Sequence, residues 1–427
     1  MEQQLTPGAW DLRYERKAVA LLGIGFGLVG LDRWIIAPLF PVMIEDLGLT
    51  YQDLGTITAF LAITWGLLAI ITGSLSDRIG RRKVIIPAVI GFSMLAGLTG
   101  LAGGLGSLLA IRAIMGVFEG AFTPSANVAT LEASRPSRRG LNMGIQQSGF
   151  ALLGLGFGPI IATQLLGVLP SWRWVFVVVA LPGLLVAYLL WRVLRDPAHI
   201  QSVAFADVPA QEAEPRRWRE IFSYRNVLLG TVVLFGAFSC IFVISALVPT
   251  YLTDYIRLSI TQMGFVTSAI GFGGTVGFIL VPAISDRLGR KVAVGGAFVI
   301  AGLALVAFSF TGSSPILLFA LLFIIAGCSF GAITTVATLV VPEAVPATLL
   351  ASAAGIPIGL GEIFGGGIAP IIGGFVAQNY GIQNTLYVAL FGLVVGFAIT
   401  FLLKETAPSK IGEPQVHPAA RPPVDVP

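Results

Sequence analysis

The sequence predicts an all-α membrane protein with twelve transmembrane helices in two pseudo-symmetric six-helix bundles. A scarcity of charge, a series of apolar runs of membrane-spanning length and an internal repeat between the halves carry that expectation.

Of 427 residues, 56% are apolar and only 11% charged, and the mean hydropathy is +0.88. A soluble globular chain carries roughly 25% charged residues. A deficit of this size requires many segments in hydrocarbon rather than one local patch. The 52 glycines fit the same class, because small residues let membrane helices approach closely. The formal charge of +4 comes from basic residues dispersed among short loops, which gives no surface for nucleic acid. Cys240 and Cys328 both lie in apolar runs, so neither a disulfide framework nor a metal site is expected. His199 and His417 fall in the central polar stretch and the tail, which excludes a histidine proton relay within the membrane. Glu2, Asp11 and Glu15 stand among the basic residues of the N-terminus, without a cleavage pattern, so the first apolar run is expected to remain as a helix.

A bilayer core takes roughly 20 apolar residues per helix. Runs of that length fall at 18–42, 54–76, 84–105, 107–130, 139–167 and 172–194, and again at 226–252, 261–284, 292–311, 314–341, 349–378 and 384–403. This divides the chain into an N-terminus (1–17), a first bundle (18–194), a linker (195–225), a second bundle (226–403) and a disordered tail (404–427). Basic residues set the orientation. Arg13, Arg16 and Lys17 precede the first run, Arg81 and Arg82 follow the second, Arg135 and Arg138 follow the fourth, and Arg287 and Arg290 follow the eighth. All these loops share one side, and the other side shows only Arg173 and Arg257. The linker, the tail and the N-terminus are therefore expected to be cytoplasmic, in the inner (plasma) membrane.

The halves repeat. Asp77-Arg78-Ile79-Gly80-Arg81 recurs as Asp286-Arg287-Leu288-Gly289-Arg290, an offset of 209 from 77 to 286. Gly120, Gly144 and Pro159 recur as Gly331, Gly355 and Pro370, each offset by 211. Matches at nearly one offset indicate duplication.

The loop from Gly73 to Arg82 reads Gly-Ser-Leu-Ser-Asp-Arg-Ile-Gly-Arg-Arg, and a related half-motif follows the eighth run. It resembles the signature of the major facilitator superfamily, and the resemblance extends over residues 18–403. It implies the major facilitator fold, with a central cavity opened alternately to each side and a site near the midplane. The expected role of Asp77, Arg78, Gly80 and Arg81, and of Asp286, Arg287, Gly289 and Arg290, is a gate. The acids accept hydrogen bonds from helix ends or basic groups of neighbouring helices, and these bonds break as the bundles rock.

Charges inside the apolar runs are more telling. Each costs about 2.5–3.5 kcal/mol at a helix centre on insertion scales, so such a group usually faces a cavity and has a task. The chain has Asp32 and Arg33 in the first run, Arg112 and Glu119 in the fourth, and Glu362 in the eleventh. Arg112 and Glu119 are seven apart and share a helical face. A guanidinium can hold a carboxylate bidentately, and a carboxyl caught between desolvation and a nearby arginine can take up and release a proton. The stretch Arg112 to Gly120, with Pro124 after it and Asp32-Arg33 in the first run, resembles the anion:cation symporter branch of the superfamily. That resemblance implies proton sites at Asp32 and Glu119 and anion sites at Arg33 and Arg112. Glu362 departs from the branch's pattern and is a candidate second proton or substrate site.

Weaker features complete the reading. Gln146 and Gln147 can hydrogen-bond solute hydroxyls. Trp34, Trp65, Phe235 and Phe238 are candidate cavity walls. Gly154 to Pro159 partly resembles the fifth-helix signature of drug:proton antiporters but lacks its closing Gly-Gly, and reads as a helix-bending and packing device. No phosphate-cradling loop points to an ATP-driven pump, no nucleophile–histidine pair to an enzyme, and no cofactor is implied. The expectation is a monomeric secondary transporter that carries a small organic anion with protons. The alternatives are a proton-driven exporter of drugs or metabolites, which arginines in the cavity disfavour, and a spinster-like carrier of lipids or lysolipids.

Overall fold

The computed structural model describes residues 11–195, 218–345, 349–407 and 410. The side chains at 70, 71, 73–75, 77, 78, 136, 350–352 and 354 also lie outside the description. So do most of the expected linker, nearly all of the expected tail, and the side chains of the candidate gate residues Asp77 and Arg78.

Among the described residues, twelve helices are long and apolar enough to cross a membrane, and there is no strand. The first half comprises α1 (Leu12–Leu47), α2 (Tyr51–Ile79), α3 (Arg81–Thr99), α4 (Leu105–Ala133), α5 (Arg139–Val168) and α6 (Trp172–Val193). The second comprises α7 (Arg225–Tyr255), α8 (Ile260–Leu288), α9 (Arg290–Ser309), α10 (Pro315–Ala344), α11 (Gly355–Tyr380) and α12 (Ile382–Thr400).

Local chemistry sets the helix ends. α1 begins earlier than its apolar run predicts. Asp11 caps it by accepting a hydrogen bond from the Tyr14 amide at 3.0 Å, and the buried Glu15 accepts from Asn142 Nδ2 of α5 at 2.7 Å. Arg13, Arg16 and Lys17 therefore sit on the helix rather than ahead of it. Thr50 and Asp53 form a capping box at the start of α2, and Ser259 and Gln262 form one at the equivalent start of α8. The α2–α3 and α8–α9 turns each consist of one residue, Gly80 at φ 96° and Gly289 at φ 102°. Only glycine adopts that conformation without strain. The glycines of the repeated motif are thus fixed by backbone geometry.

Five of the described helices are interrupted, α10 by a π-helical segment at Val336–Val340, and two of the interruptions are symmetric. α5 carries a π-helical segment at Phe150–Phe157 and α11 one at Glu362–Ile368, just ahead of Pro159 and Pro370. Such segments recur at functional sites, because they swell the helix and redirect its side chains. α7 ends in a π segment at Tyr251–Tyr255, and α1 is broken at Ile35 between helices Leu12–Trp34 and Ile36–Leu47.

The halves meet along α2 with α11 and α5 with α8. A Cβ on Gly271 of α8 would stand 1.9 Å from the Gly156 amide nitrogen of α5, and one on Gly55 would stand 2.1 Å from the Pro370 carbonyl oxygen. Backbones this close admit no side chain. Within the first half, a Cβ on Gly154 would lie 2.5 Å from the Gly30 carbonyl carbon of α1, so the Gly154–Pro159 stretch packs on both bundles. At the end of the bundles distant from the chain termini, the Tyr51 hydroxyl donates to Asp254 Oδ2 of α7 at 2.6 Å. The Tyr51 amide donates to Gln378 Oε1 of α11 at 3.2 Å.

Candidate transport site

The break in α1 organises the site. Just ahead of it, the carbonyls of Asp32 and Arg33 accept hydrogen bonds from Arg112 of α4. Its Nη1 donates to Asp32 O at 2.8 Å and to Arg33 O at 3.2 Å. The Arg112 side chain is among the largest fully buried ones. Its position pins α4 to the interrupted turn of α1 and fixes where Asp32 and Arg33 point.

Arg33 crosses to the other bundle. Its Nη2 pairs with Glu362 Oε2 of α11 at 2.8 Å, with the side chains 2% and 8% exposed. The guanidinium carbon lies 4.6 Å from the ring centre of Phe242 of α7, 5.6 Å from that of Trp34 and 5.9 Å from that of Trp65 of α2. Three aromatic faces thus shield the cation from water, which strengthens both cation–π attraction and ion pairing. Arg33 Nε and the indole N–H groups of Trp34 and Trp65 are buried donors with no hydrogen-bond acceptor among the described residues.

Asp32 and Glu119 are 1% and 0% exposed, and neither carboxyl has a hydrogen-bond partner on either oxygen among the described residues. They lie within electrostatic reach of Arg112, Glu119 also of Arg33 and Glu362, so the five charged groups of the first, fourth and eleventh spans form one cluster. An unpaired ionised carboxylate is costly in such surroundings, and proton uptake is the simplest relief. The arrangement supplies a cation for an anion, N–H donors around it, and acids able to take protons.

Gln146 is fully buried; its Nε2 donates to Asn127 Oδ1 of α4 at 3.0 Å, and its Oε1 has no partner among the described residues. Gln147 is half-buried. Asn127 escaped the sequence reading, although an amide in an apolar run is itself a signal. Phe242 and Ser245, three apart on α7, also escaped it; the Ser245 hydroxyl is buried without a partner among the described residues. Of the other candidate walls, Phe238 packs on Phe242 with ring centres 5.7 Å apart. Phe235 instead lines a cavity of about 760 Å³ between α7, α11 and α12. Exposed Phe364, Tyr387 and Phe391 share that cavity, no charged residue lines it, and it opens on the flank of the second bundle.

The sequence profile of the Major Facilitator Superfamily matches residues 22–357. The chain belongs to the major facilitator superfamily. This facilitator is 28% identical to the hexuronate transporter of Bacillus subtilis over 62% of this chain, a match that spans 63% of that protein's length. It is 25% identical to the D-galactonate transporter of Escherichia coli, over 84% of this chain and 88% of that one. It is 27% identical to the gallate transporter of Pseudomonas putida, over 85% and 86%. Among solved structures, an inward-facing, unoccupied bacterial homologue of the lysosomal transporter spinster superposes with a TM-score of 0.76 at 19% identity, covering 92% of this chain and 97% of that one. The facilitator is therefore a multi-pass membrane transporter and not an enzyme.

The facilitator's repeated motif forms ion pairs at the ends of α3 and α9. Arg290 pairs with Asp286 at 2.5 Å and with Glu343 of α10 at 2.9 Å, and it donates to Ser285 Oγ at 2.7 Å. In the first half, Arg81 pairs with Glu132 of α4 at 3.2 Å. Glu132 and Glu343 are themselves 211 apart, a match in the repeat that the sequence reading passed over. Arg287 is exposed. These pairs lie within their own bundles.

Proposed function

We propose that this transporter carries a small organic anion (a sugar acid, an aromatic acid or another carboxylate) together with protons, by alternating access. One observation carries the reading: a buried guanidinium at the bundle interface, Arg33, already engages a carboxylate at 2.8 Å inside an aromatic shell. A planar fork in low-dielectric surroundings is suited to carboxylate recognition. Hexuronate, galactonate and gallate, named for the relatives, are all carboxylates.

In this reading Arg33 binds the anion, Arg112 holds the turn that presents it and offers its remaining N–H groups, and Trp34, Gln146 and Gln147 contact the rest of the solute. Asp32, Glu119 and Glu362 accept the protons that travel with it. The paired motifs around Asp77 and Asp286 gate the cytoplasmic side. The protein works as a monomer in the inner membrane with both termini in the cytoplasm.

The test is uptake into proteoliposomes under an inward proton gradient, with galacturonate, galactonate and gallate as solutes. Asp32→Asn and Glu119→Gln should stop gradient-driven uptake, while counterflow exchange, which needs no net proton movement, survives in at least one of them. Arg33→Ala and Arg33→Lys should lose solute binding. Full gradient-driven uptake in both acid variants would remove them from proton coupling. Efflux of hydrophobic cations, in place of anion uptake, would favour the exporter.

A further inference from the structure

Arg33, the candidate anion site, is already engaged by a carboxylate of the chain itself, that of Glu362. These residues are 329 positions apart and belong to different bundles. Arg33 projects from the break in α1, and Glu362 is the first residue of the π segment in α11, ahead of Gly365, Gly366 and Gly367. Their bond ties α1 to α11 in the interior. We propose that Glu362 is a built-in competitor that occupies Arg33 in the unloaded carrier and is displaced by the solute's carboxylate, so that loading releases the tie between the bundles. The inference rests on Arg33 being the anion site.

Geometry supports displacement over permanent structure. Only Arg33 Nη2 is used by Glu362; Nε on the same guanidinium is buried and has no partner among the described residues. A second, incoming carboxylate therefore has a donor to start on before the first bond breaks. By contrast Arg112, whose Nη1 holds two backbone carbonyls, is bonded to groups that cannot leave. The consequence is functional. An unloaded carrier keeps its bundles tied through Glu362, and the tie is exchanged for a solute bond only when solute arrives, which suppresses cycling without cargo.

The affinity of a site occupied by its own competitor is reduced by the fraction of time it is free. If the pair is formed nine-tenths of the time or more, its removal should tighten anion binding by about tenfold or more. The first experiment needs no knowledge of the natural solute. Glu362→Ala opens a carboxylate-sized space opposite Arg33, and formate is the probe. Formate should raise the thermal stability of Glu362→Ala and leave wild type and the Arg33→Ala, Glu362→Ala double variant unmoved. Formate that leaves Glu362→Ala unmoved, or stabilises wild type equally, overturns the proposal. The second experiment guards against poor folding of the alanine variant and uses galactonate and gallate binding at one pH. Glu362→Gln should bind about tenfold tighter than wild type, and Glu362→Asp, which retains the carboxylate, should stay within about threefold of it. A merely structural role for Glu362 would weaken binding in Glu362→Gln, not strengthen it. Weaker or equal binding there, with binding lost in Arg33→Ala, overturns the competitor and leaves the anion reading standing. Undiminished binding in Arg33→Ala overturns both.

Discussion

Removing one oxygen atom, in Tyr51→Phe, should tip the balance between the two open states of the carrier. The Tyr51 hydroxyl donates to Asp254 Oδ2 at 2.6 Å, from α2 of one bundle to α7 of the other, at the end distant from the chain termini. A bond that spans the two bundles must break if that end opens. It is charge-assisted and partly buried, and Asp254 Oδ1 keeps its bond from the Thr253 hydroxyl at 2.8 Å, so the variant strands one carboxylate oxygen rather than the whole group. Loss of a hydrogen bond to a charged group costs about 1.5–3 kcal/mol, and each 1.4 kcal/mol is tenfold. The closed state should therefore lose roughly ten- to hundredfold in population relative to its rival. The Tyr51 amide bond to Gln378 is retained, which confines the change to one interaction. Spin labels on the ends of α2 and α7 near Tyr51 would report it: the distance distribution of the variant should gain a longer component that wild type lacks. The helix itself should be unaffected, because the capping box of Thr50 and Asp53 is untouched. Distances that match wild type, in a variant that folds, would refute the claim that this bond holds the end shut.

Two further outcomes follow from groups placed elsewhere. Arg112→Leu should cost about 3–5 kcal/mol, because it strips a buried cation from two carbonyls and two buried acids; a fall in melting temperature together with lost anion binding is expected, and lost binding with unchanged melting would instead make Arg112 a direct solute ligand. Glu405 lies beyond α12. Burial would raise its carboxyl, but the backbone amides of Ala407, Arg290, Lys291 and Thr406 outweigh this and hold it below the usual range. A depressed folded value contributes stability that is present above the unfolded value, about 4.3, and is lost as pH falls through the folded one. The stability gap between wild type and Glu405→Gln should accordingly be constant near neutrality and close in acid, and a gap that widens on acidification would contradict the assignment.

The membrane class, the number of helices and all five clustered charges were legible for one reason: hydrocarbon tolerates so few ionisable groups that each survivor is conspicuous. Asp32, Arg33, Arg112 and Glu119 needed only to be noticed in their apolar runs. Glu362 was noticed for the same reason, but its partner was not, because nothing local links α11 to α1 across 329 positions. The task of Arg112 depends on where α1 breaks; Pro38, which has no N–H for the Trp34 carbonyl one turn back, marks the break at Ile35, but nothing local names the residue that takes the carbonyls beside it. Phe242 was hidden among 28 phenylalanines, and only packing tells the one that faces a guanidinium from those that face lipid. Tyr51 and Asp254 lie at span ends, where polar residues are ordinary. The repeat gave more than was taken from it: the offset that relates Gly120 to Gly331 also relates Glu132 to Glu343, and those acids hold Arg81 and Arg290.

Two arginines of one cluster thus have unlike partners, and the difference bears on how binding couples to movement. Arg112 is bonded to the backbone of its own bundle, so its bonds survive any rigid rotation of one bundle against the other. Arg33 is bonded to a side chain of the opposite bundle, so its bond is put at stake by that rotation. A ligand can shift an equilibrium only through a difference in its interactions with the two states. Of the two guanidiniums, only Arg33 has a bond to the opposite bundle, and in the proposed mechanism only its partner changes on loading. Binding energy spent at Arg112 would fall equally on both states and leave the equilibrium where it was, whereas binding at Arg33 alters what holds the bundles together.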